Sequence, residues 1–243
     1  MRASVAGRVS AMTGGARSES GTLSHAAARR LYDRFGHKQD WQRFYENPAL
    51  DDLIAHCSFQ DAAAVAELGC GTGHLAERLL TDYLVGTATY LAIDISSTMV
   101  GLCRRRLARF GDRVCVLLTD GNPRIDEGPE SCDRFVSTYV LDLLSPADIE
   151  AVIAEAGRLL VPGGLLGLVG LTHGATFPAR LVERVWVGVH RVRPSWVGGC
   201  RPLSVVRFLD RGWDIVHRAV VTRFAISSEV VVAAKPVEPA AWA

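Results

Sequence analysis

The stretch Glu67-Leu68-Gly69-Cys70-Gly71-Thr72-Gly73-His74 decides the architecture of this chain. It follows the apolar run 64–68 and precedes a helical pattern over 74–83, so it reads as the bend between a buried strand and a helix. Glycine at every second position allows positive φ and removes the Cβ atoms that would hold a ligand away from the backbone. A dinucleotide fingerprint, Gly-x-Gly-x-x-Gly, would need glycine where His74 stands. Glu67 also puts a carboxylate inside the cradle, which repels phosphate and attracts an ammonium or a sulfonium. The expected ligand is therefore cationic.

Outward from this bend, strands and helices alternate. Strands are expected at 64–68, 89–93, 114–119, 135–138 and 165–171, with helices at 74–83, 97–110 and 146–160. The last of these helices has Ser145 as cap, Pro146 at its first position and Ile149, Val152, Ile153, Ala156, Leu159 and Leu160 in one stripe. Alternation of this kind gives right-handed βαβ units and a parallel sheet. Ahead of it, Ser24 can cap a helix to Phe35, and Asn47-Pro48 reads as N-cap and first helical residue of a second helix ending near His56. Behind it come a helix at 178–192, a shorter one at 204–209, and runs at 213–221 and 229–234. Those two are close enough to form an antiparallel hairpin at one sheet edge. The expected organisation is a leader at 1–23, helical lid elements at 24–60 and an α/β domain at 61–236.

With 243 residues, 49% of them hydrophobic, the chain can bury a full core. A net charge of +1 gives no global field towards nucleic acid or membrane. Of the 27 basic residues only Lys38 and Lys235 are lysines, and neither follows a glycine, so a Gly-Lys phosphate loop is absent. The six cysteines form no Cys-x-x-Cys pair and lie in or beside apolar stretches, which suits free, buried thiols in a reducing cytoplasm. His56 and Cys57 are adjacent, so on a helix they diverge, and no metal centre is expected. The uncharged run 159–179 is cut by Pro162-Gly163-Gly164 and Thr172-His173-Gly174 below the length of a membrane span. The first 23 residues lack the apolar core of a secretory signal, and Met12 offers a second start.

Ligands of open parallel sheets bind beyond the carboxyl ends of the strands. After the second strand stands Asp94, suited to accept two ribose hydroxyls, with Ile95 and Met99 beside it for an apolar ring face. After the third stands Asp120-Gly121, an acceptor for an exocyclic amine with room for a purine. Together these residues resemble the class I S-adenosylmethionine-dependent methyltransferases, over roughly 31–234. The segment Asp133-Arg134-Phe135-Val136-Ser137-Thr138-Tyr139-Val140-Leu141 and the later Arg158-Leu159-Leu160-Val161-Pro162-Gly163-Gly164 are similar to the small-molecule, quinone-biosynthesis-like branch.

The resemblance implies a Rossmann-like three-layer sandwich with a seven-stranded, mostly parallel sheet and S-adenosyl-L-methionine as cofactor. It implies donor contacts at Glu67, Gly69, Gly71, Gly73, Asp94, Ile95, Met99, Asp120, Gly121 and Ser137. Many relatives carry histidine where this chain has Asp142. Ser137-Thr138-Tyr139-Val140 replaces the Asn/Asp-Pro-Pro-Tyr of enzymes that methylate exocyclic DNA amines, so no nucleic acid partner is expected.

Methyl transfer from a sulfonium needs alignment above all, and near-attack geometry contributes about 7–11 kcal/mol against a further factor of roughly 100 to 10,000 from a base. Acceptor-side candidates are Tyr32, His37, Gln39, Asp40 and Tyr45 in the lid, then Tyr139 and Asp142 after the fourth strand and His173 after the fifth; Tyr139, Asp142 and His173 rank first. On the helix at 178–192, Arg180, Arg184 and Arg191 share one face, and Leu181, Val182, Val185, Trp186, Val189 and Val192 share the other, expected against the core. Trp186 and Trp196 suit an apolar acceptor. The expected function is methylation of a small apolar or aromatic metabolite in the cytoplasm, with a homodimer compatible. Lipid or quinone methylation at a membrane surface, a non-catalytic donor-binding regulator and a nicotinamide enzyme are the alternatives.

Overall fold

A computed structural model describes residues 24–35, 43–192, 199–209 and 212–237. The expected leader at 1–23 and the candidates His37, Gln39, Asp40 and Trp196 lie outside the described residues. The strands are β1 (Ala64–Leu68), β2 (Thr89–Asp94), β3 (Val114–Leu118), β4 (Cys132–Thr138), β5 (Leu160–Leu171), β6 (Asp214–Arg223) and β7 (Ile226–Ala234). The helices are α1 (His25–Phe35), α2 (Arg43–His56), α3 (His74–Asp82), α4 (Ser97–Leu107), α5 (Pro146–Leu159) and α6 (Phe177–Val192).

The strands form one seven-stranded sheet in the order β3-β2-β1-β4-β5-β7-β6. Pairings from β3 through β5 are parallel, and β7 runs antiparallel to both β5 and β6. The winding direction reverses between β1 and β4, where ligands of such sheets bind. Apolar residues from α2, α3 and α4 cover one face together with Val65, Tyr90 and Val136. Residues of α5 cover the other with Ala66, Phe135 and Leu166. Adjacent strand residues such as Phe135 and Val136 thus serve opposite cores, which is why these strands read as unbroken apolar runs.

Local signals fix several boundaries. Ser145 Oγ accepts from the Asp148 N–H at 3.2 Å and caps α5, and Ser96 Oγ does the same for α4 through the Met99 N–H. Three expectations are corrected. α2 begins at Arg43, with Pro48 inside it rather than at its start. Proline there forgoes one helical hydrogen bond, and the extra turn carries Tyr45 and Glu46.

β5 begins at Leu160 rather than Leu165, because Pro162-Gly163-Gly164 is taken up as an irregularity while β4 shifts register between Cys132 and Arg134. On α6, Leu181 and Val185 are 58% and 62% exposed, so only part of its apolar side meets the core. Its apolar residues occupy more of the circumference than one contact can cover. Cys57, Cys70, Cys103 and Cys132 are buried as expected for free thiols, whereas Cys115 is exposed on edge strand β3.

Candidate functional site

The three glycines after β1 all have positive φ, at 80° for Gly69, 51° for Gly71 and 78° for Gly73. A Cβ on Gly69 would collide with Val140 Cγ2, and one on Gly73 would come within 2.8 Å of Cys103 Sγ. Gly69 thus lets the loop pass the end of β4, and Gly73 lets α3 approach α4. The Gly69 and Cys70 N–H groups donate to the Ile93 carbonyl at 2.7 and 3.0 Å, pinning the loop to the end of β2. The Gly71 N–H donates to Asp94 Oδ2 at 2.9 Å, and the Ser96 N–H to Asp94 Oδ1 at 2.8 Å. Burial raises the Asp94 pKa despite these bonds.

Glu67 is 1% exposed and takes the Tyr90 hydroxyl on Oε2 at 2.8 Å. Burial pushes its carboxyl up to about 7, against the lowering effect of that bond. Among the described residues no cation pairs with it, and it lines a space of about 490 Å³ with Gly69, Gly71, His74, Thr138 and Tyr139. A second space, of about 860 Å³, includes Gly69, Asp94, Ile95, Gly121, Thr138 and Tyr139 in its lining. The shared residues make the two one cleft over the switch point, with a carboxylate at one end and a largely apolar chamber at the other.

α1 lies over the chamber. Asp33 Oδ1 accepts from Ser96 Oγ at 2.6 Å and from the Thr98 N–H at 3.3 Å, fastening α1 to the start of α4. Burial works against the Asp33 carboxylate, but these bonds outweigh it and hold its pKa below the ordinary value. His25 sits so close to Gly121 that a Cβ there would fall 2.7 Å from His25 Nδ1.

Tyr139, with a φ of 56°, turns back from the end of β4. Its N–H donates to the Val169 carbonyl at 2.7 Å, its hydroxyl lies 2.9 Å from Ser228 Oγ, and its ring meets Tyr45 edge-on at 6.1 Å between centroids. Asp142 is fully buried behind the cleft wall, with Oδ2 accepting from the Leu171 N–H at 3.1 Å. Burial raises its carboxyl to about 7. The phenols of Tyr32, Tyr45 and Tyr139 are pushed up by burial first and by the Asp142 charge among lesser causes. All three stay protonated.

The structure brings Tyr32, Glu67, Gly69, Gly71, Asp94, Ile95, Gly121 and Tyr139 to the cleft. It does not bring the others. Gly73 acts in helix packing. Met99 is fully buried, and the Ser137 hydroxyl donates to the Leu68 carbonyl at 3.0 Å. Asp120 is exposed, with Oδ1 accepting from the Asn122 N–H at 2.8 Å in a local turn. Asp142 lies behind the wall. His173 sits apart on the loop after β5, its side chain 63% exposed and 2.6 Å from Glu183 Oε1. Thr119, Asn122, Thr138 and Val140, unanticipated from sequence, line the chamber. Each follows a strand end, which was the available signal; nothing in the spacing pointed to His25.

The positive-φ cradle at Gly69 and Gly71, the buried Glu67 carboxylate and the Asp94 carboxylate at the β2 end fit S-adenosylmethionine. Residues 65–164 match the family described as a methyltransferase domain. The chain carries a domain of the class I S-adenosylmethionine-dependent methyltransferases, whose cofactor is S-adenosylmethionine.

Among particular proteins, it is 31% identical over 136 residues to the polyketide synthase component of compactin nonaketide synthase from Penicillium citrinum, covering 54% of this chain and 4% of that one. It is 29% identical over 133 residues to an uncharacterized methyltransferase of Bacillus mycoides, covering 55% of this chain and 58% of that one. The chain thus spans less than two thirds of these relatives. The N-methyltransferase NodS from Bradyrhizobium japonicum WM9, solved with S-adenosyl-l-homocysteine, shares the fold at a TM-score of 0.66 and 18% identity over 86% of this chain and 99% of that one.

Proposed function

We propose that this protein transfers a methyl group from S-adenosylmethionine to a small, apolar or aromatic metabolite. The observation that carries the reading is Glu67, a buried carboxylate facing a glycine cradle with no cation beside it among the described residues. A buried charge of that kind calls for a positive partner, and the amino group of the donor supplies one. When bound, S-adenosylmethionine offers an electrophilic methyl carbon on a cationic sulfur.

The chain's own residues do the rest. Glu67 holds the ammonium, Asp94 the ribose hydroxyls, and Ile95 with Gly121 the purine. Tyr139 and Tyr32 wall the acceptor side, their neutral hydroxyls donating to an acceptor while the rings exclude water. Asp142 is a positioning residue, because its Oδ2 takes the Leu171 N–H and ties the turn after β4 to the end of β5. His173, on an exposed loop, has no part in this reading. α1 and the first turn of α2 serve as a lid, with Asp33 as its fastening; a cytoplasmic location and no nucleic acid partner complete the proposal.

The test is incubation with labelled donor and a metabolite extract, read by mass spectrometry for S-adenosylhomocysteine and for a product heavier by one CH2. Donor binding without either product would leave a donor-binding regulator instead.

A further inference from the structure

We propose that Asp52, His56 and His217 form a binding site for one divalent transition metal ion of the Zn2+ type, separate from the cleft. Asp52 and His56 stand one turn apart on α2, and β6 brings His217 beside them from 165 residues away. Each side chain offers one ligating atom, and the three lie within 4.8 Å of one another. His217 Nε2 is 2.7 Å from Asp52 Oδ2. The imidazoles of His56 and His217 stack, 3.5 Å between centroids and 4° between planes, so the His217 ring must turn about its Cβ–Cγ bond for both in-plane lone pairs to reach one ion.

His56 Nδ1 is 2.8 Å from the Asp52 carbonyl oxygen. A carbonyl only accepts, so the proton sits on Nδ1 and the lone pair on Nε2. Ring orientation by a backbone carbonyl in this way is the usual support of a metal-binding histidine. Two imidazoles and one carboxylate suit Zn2+, Ni2+ or Cu2+, whereas Mg2+ and Ca2+ prefer oxygen alone. Three protein ligands leave the remaining positions to water. The side chains are 43%, 23% and 20% exposed for His56, Asp52 and His217, so an ion can reach them.

The site is distant from the strand ends that make the cleft. His217 pairs with Val232, which pairs with Gly167, well before β5 ends at Leu171. An ion here would staple the last turn of α2 to edge strand β6, while the first turn of α2 carries Tyr45 and Glu46. The expectation of no metal centre came from pairing His56 with Cys57. The fold buries Cys57 in the core and supplies Asp52 and His217 instead.

The experiment is calorimetric titration of the full, metal-stripped chain with ZnCl2, with Co2+ absorption spectra to report nitrogen ligation. One Zn2+ per chain is expected, with affinity lowered at least about tenfold in His56→Ala and in His217→Ala. Zn2+ should raise the melting temperature of the parent protein and not that of His217→Ala. His56 is exposed enough for its alanine variant to fold, and Cys115→Ser, which removes the exposed thiol, should bind as the parent does. No saturable binding of one ion, unchanged affinity in both histidine variants, or loss of binding in Cys115→Ser would each overturn the proposal.

Discussion

Glu67 concentrates the electrostatics of the cleft in one side chain. Its carboxyl, raised to about 7 by burial, must ionise to hold a cation, so donor affinity should climb between pH 6 and pH 8 and then level off. Glu67→Gln should bind donor at least about tenfold more weakly, the loss of one charge-assisted hydrogen bond of roughly 1.5–3 kcal/mol, and should show no such climb. Calorimetry across that range checks both; a Gln variant that keeps the parental slope would move the titrating group elsewhere. Gly69→Ala tests geometry rather than charge. The new Cβ meets Val140 Cγ2 at a φ of 80°, so donor binding should be lost, and Val140→Ala should restore only part of it because the left-handed backbone still costs about 1–2 kcal/mol.

At the level of elements, the features legible in sequence were those set by near neighbours: the glycine bend, the Ser145 cap, and the acidic residue ending β2. Less legible were features that depend on partners distant in sequence. Nothing near Pro48 reveals that α2 starts a turn earlier, since that turn forms against the cleft. The Asp120 carboxylate is used up by its own turn at Asn122, a competition that residue type alone does not disclose. α6 was expected to bury a whole apolar face because a helical wheel shows what could be buried, not how much surface is available to bury it.

Asp33→Ala removes the bonds from Ser96 and Thr98 that tie α1 to α4, and α1 should then be cleaved faster in limited proteolysis while the sheet resists. A second elemental joint is Glu229 on β7, 1% exposed. It accepts from Arg218 Nε and Nη2 at 2.9 and 2.7 Å and from the Val205 N–H at 2.6 Å. Glu229→Ala leaves the Val205 donor and the guanidinium without their acceptor. A loss of about 1–3 kcal/mol is expected, read by urea denaturation.

For the whole molecule, the carboxyls divide into two groups whose pH dependences oppose each other. Glu67 and Asp142 are both raised to about 7 by burial. Between their unfolded values of about 4 and pH 7 the folded protein binds protons that the unfolded chain has lost, so stability falls as pH rises through that window, by up to about 1.4 kcal/mol per pH unit for each group. Asp33 and Glu155 are shifted the other way. For Asp33, hydrogen bonds from Ser96 and Thr98 overcome the effect of burial; for Glu155 the bond from Arg158 is the largest cause. Their stabilisation is present above the unfolded carboxylate range and is lost as pH drops below it. The donor-free protein should therefore melt highest in acidic buffer, near pH 4–5, rather than at pH 8. In Glu67→Gln/Asp142→Asn the maximum should broaden to neutral pH, because both ionisation penalties are gone while the acid limb remains. A saturating donor should flatten the fall towards neutral pH in the parent protein, since a bound cation favours the ionised Glu67. Melting curves from pH 4 to pH 8 read all three, and a parent protein most stable at pH 8 without donor would contradict the burial of these two charges.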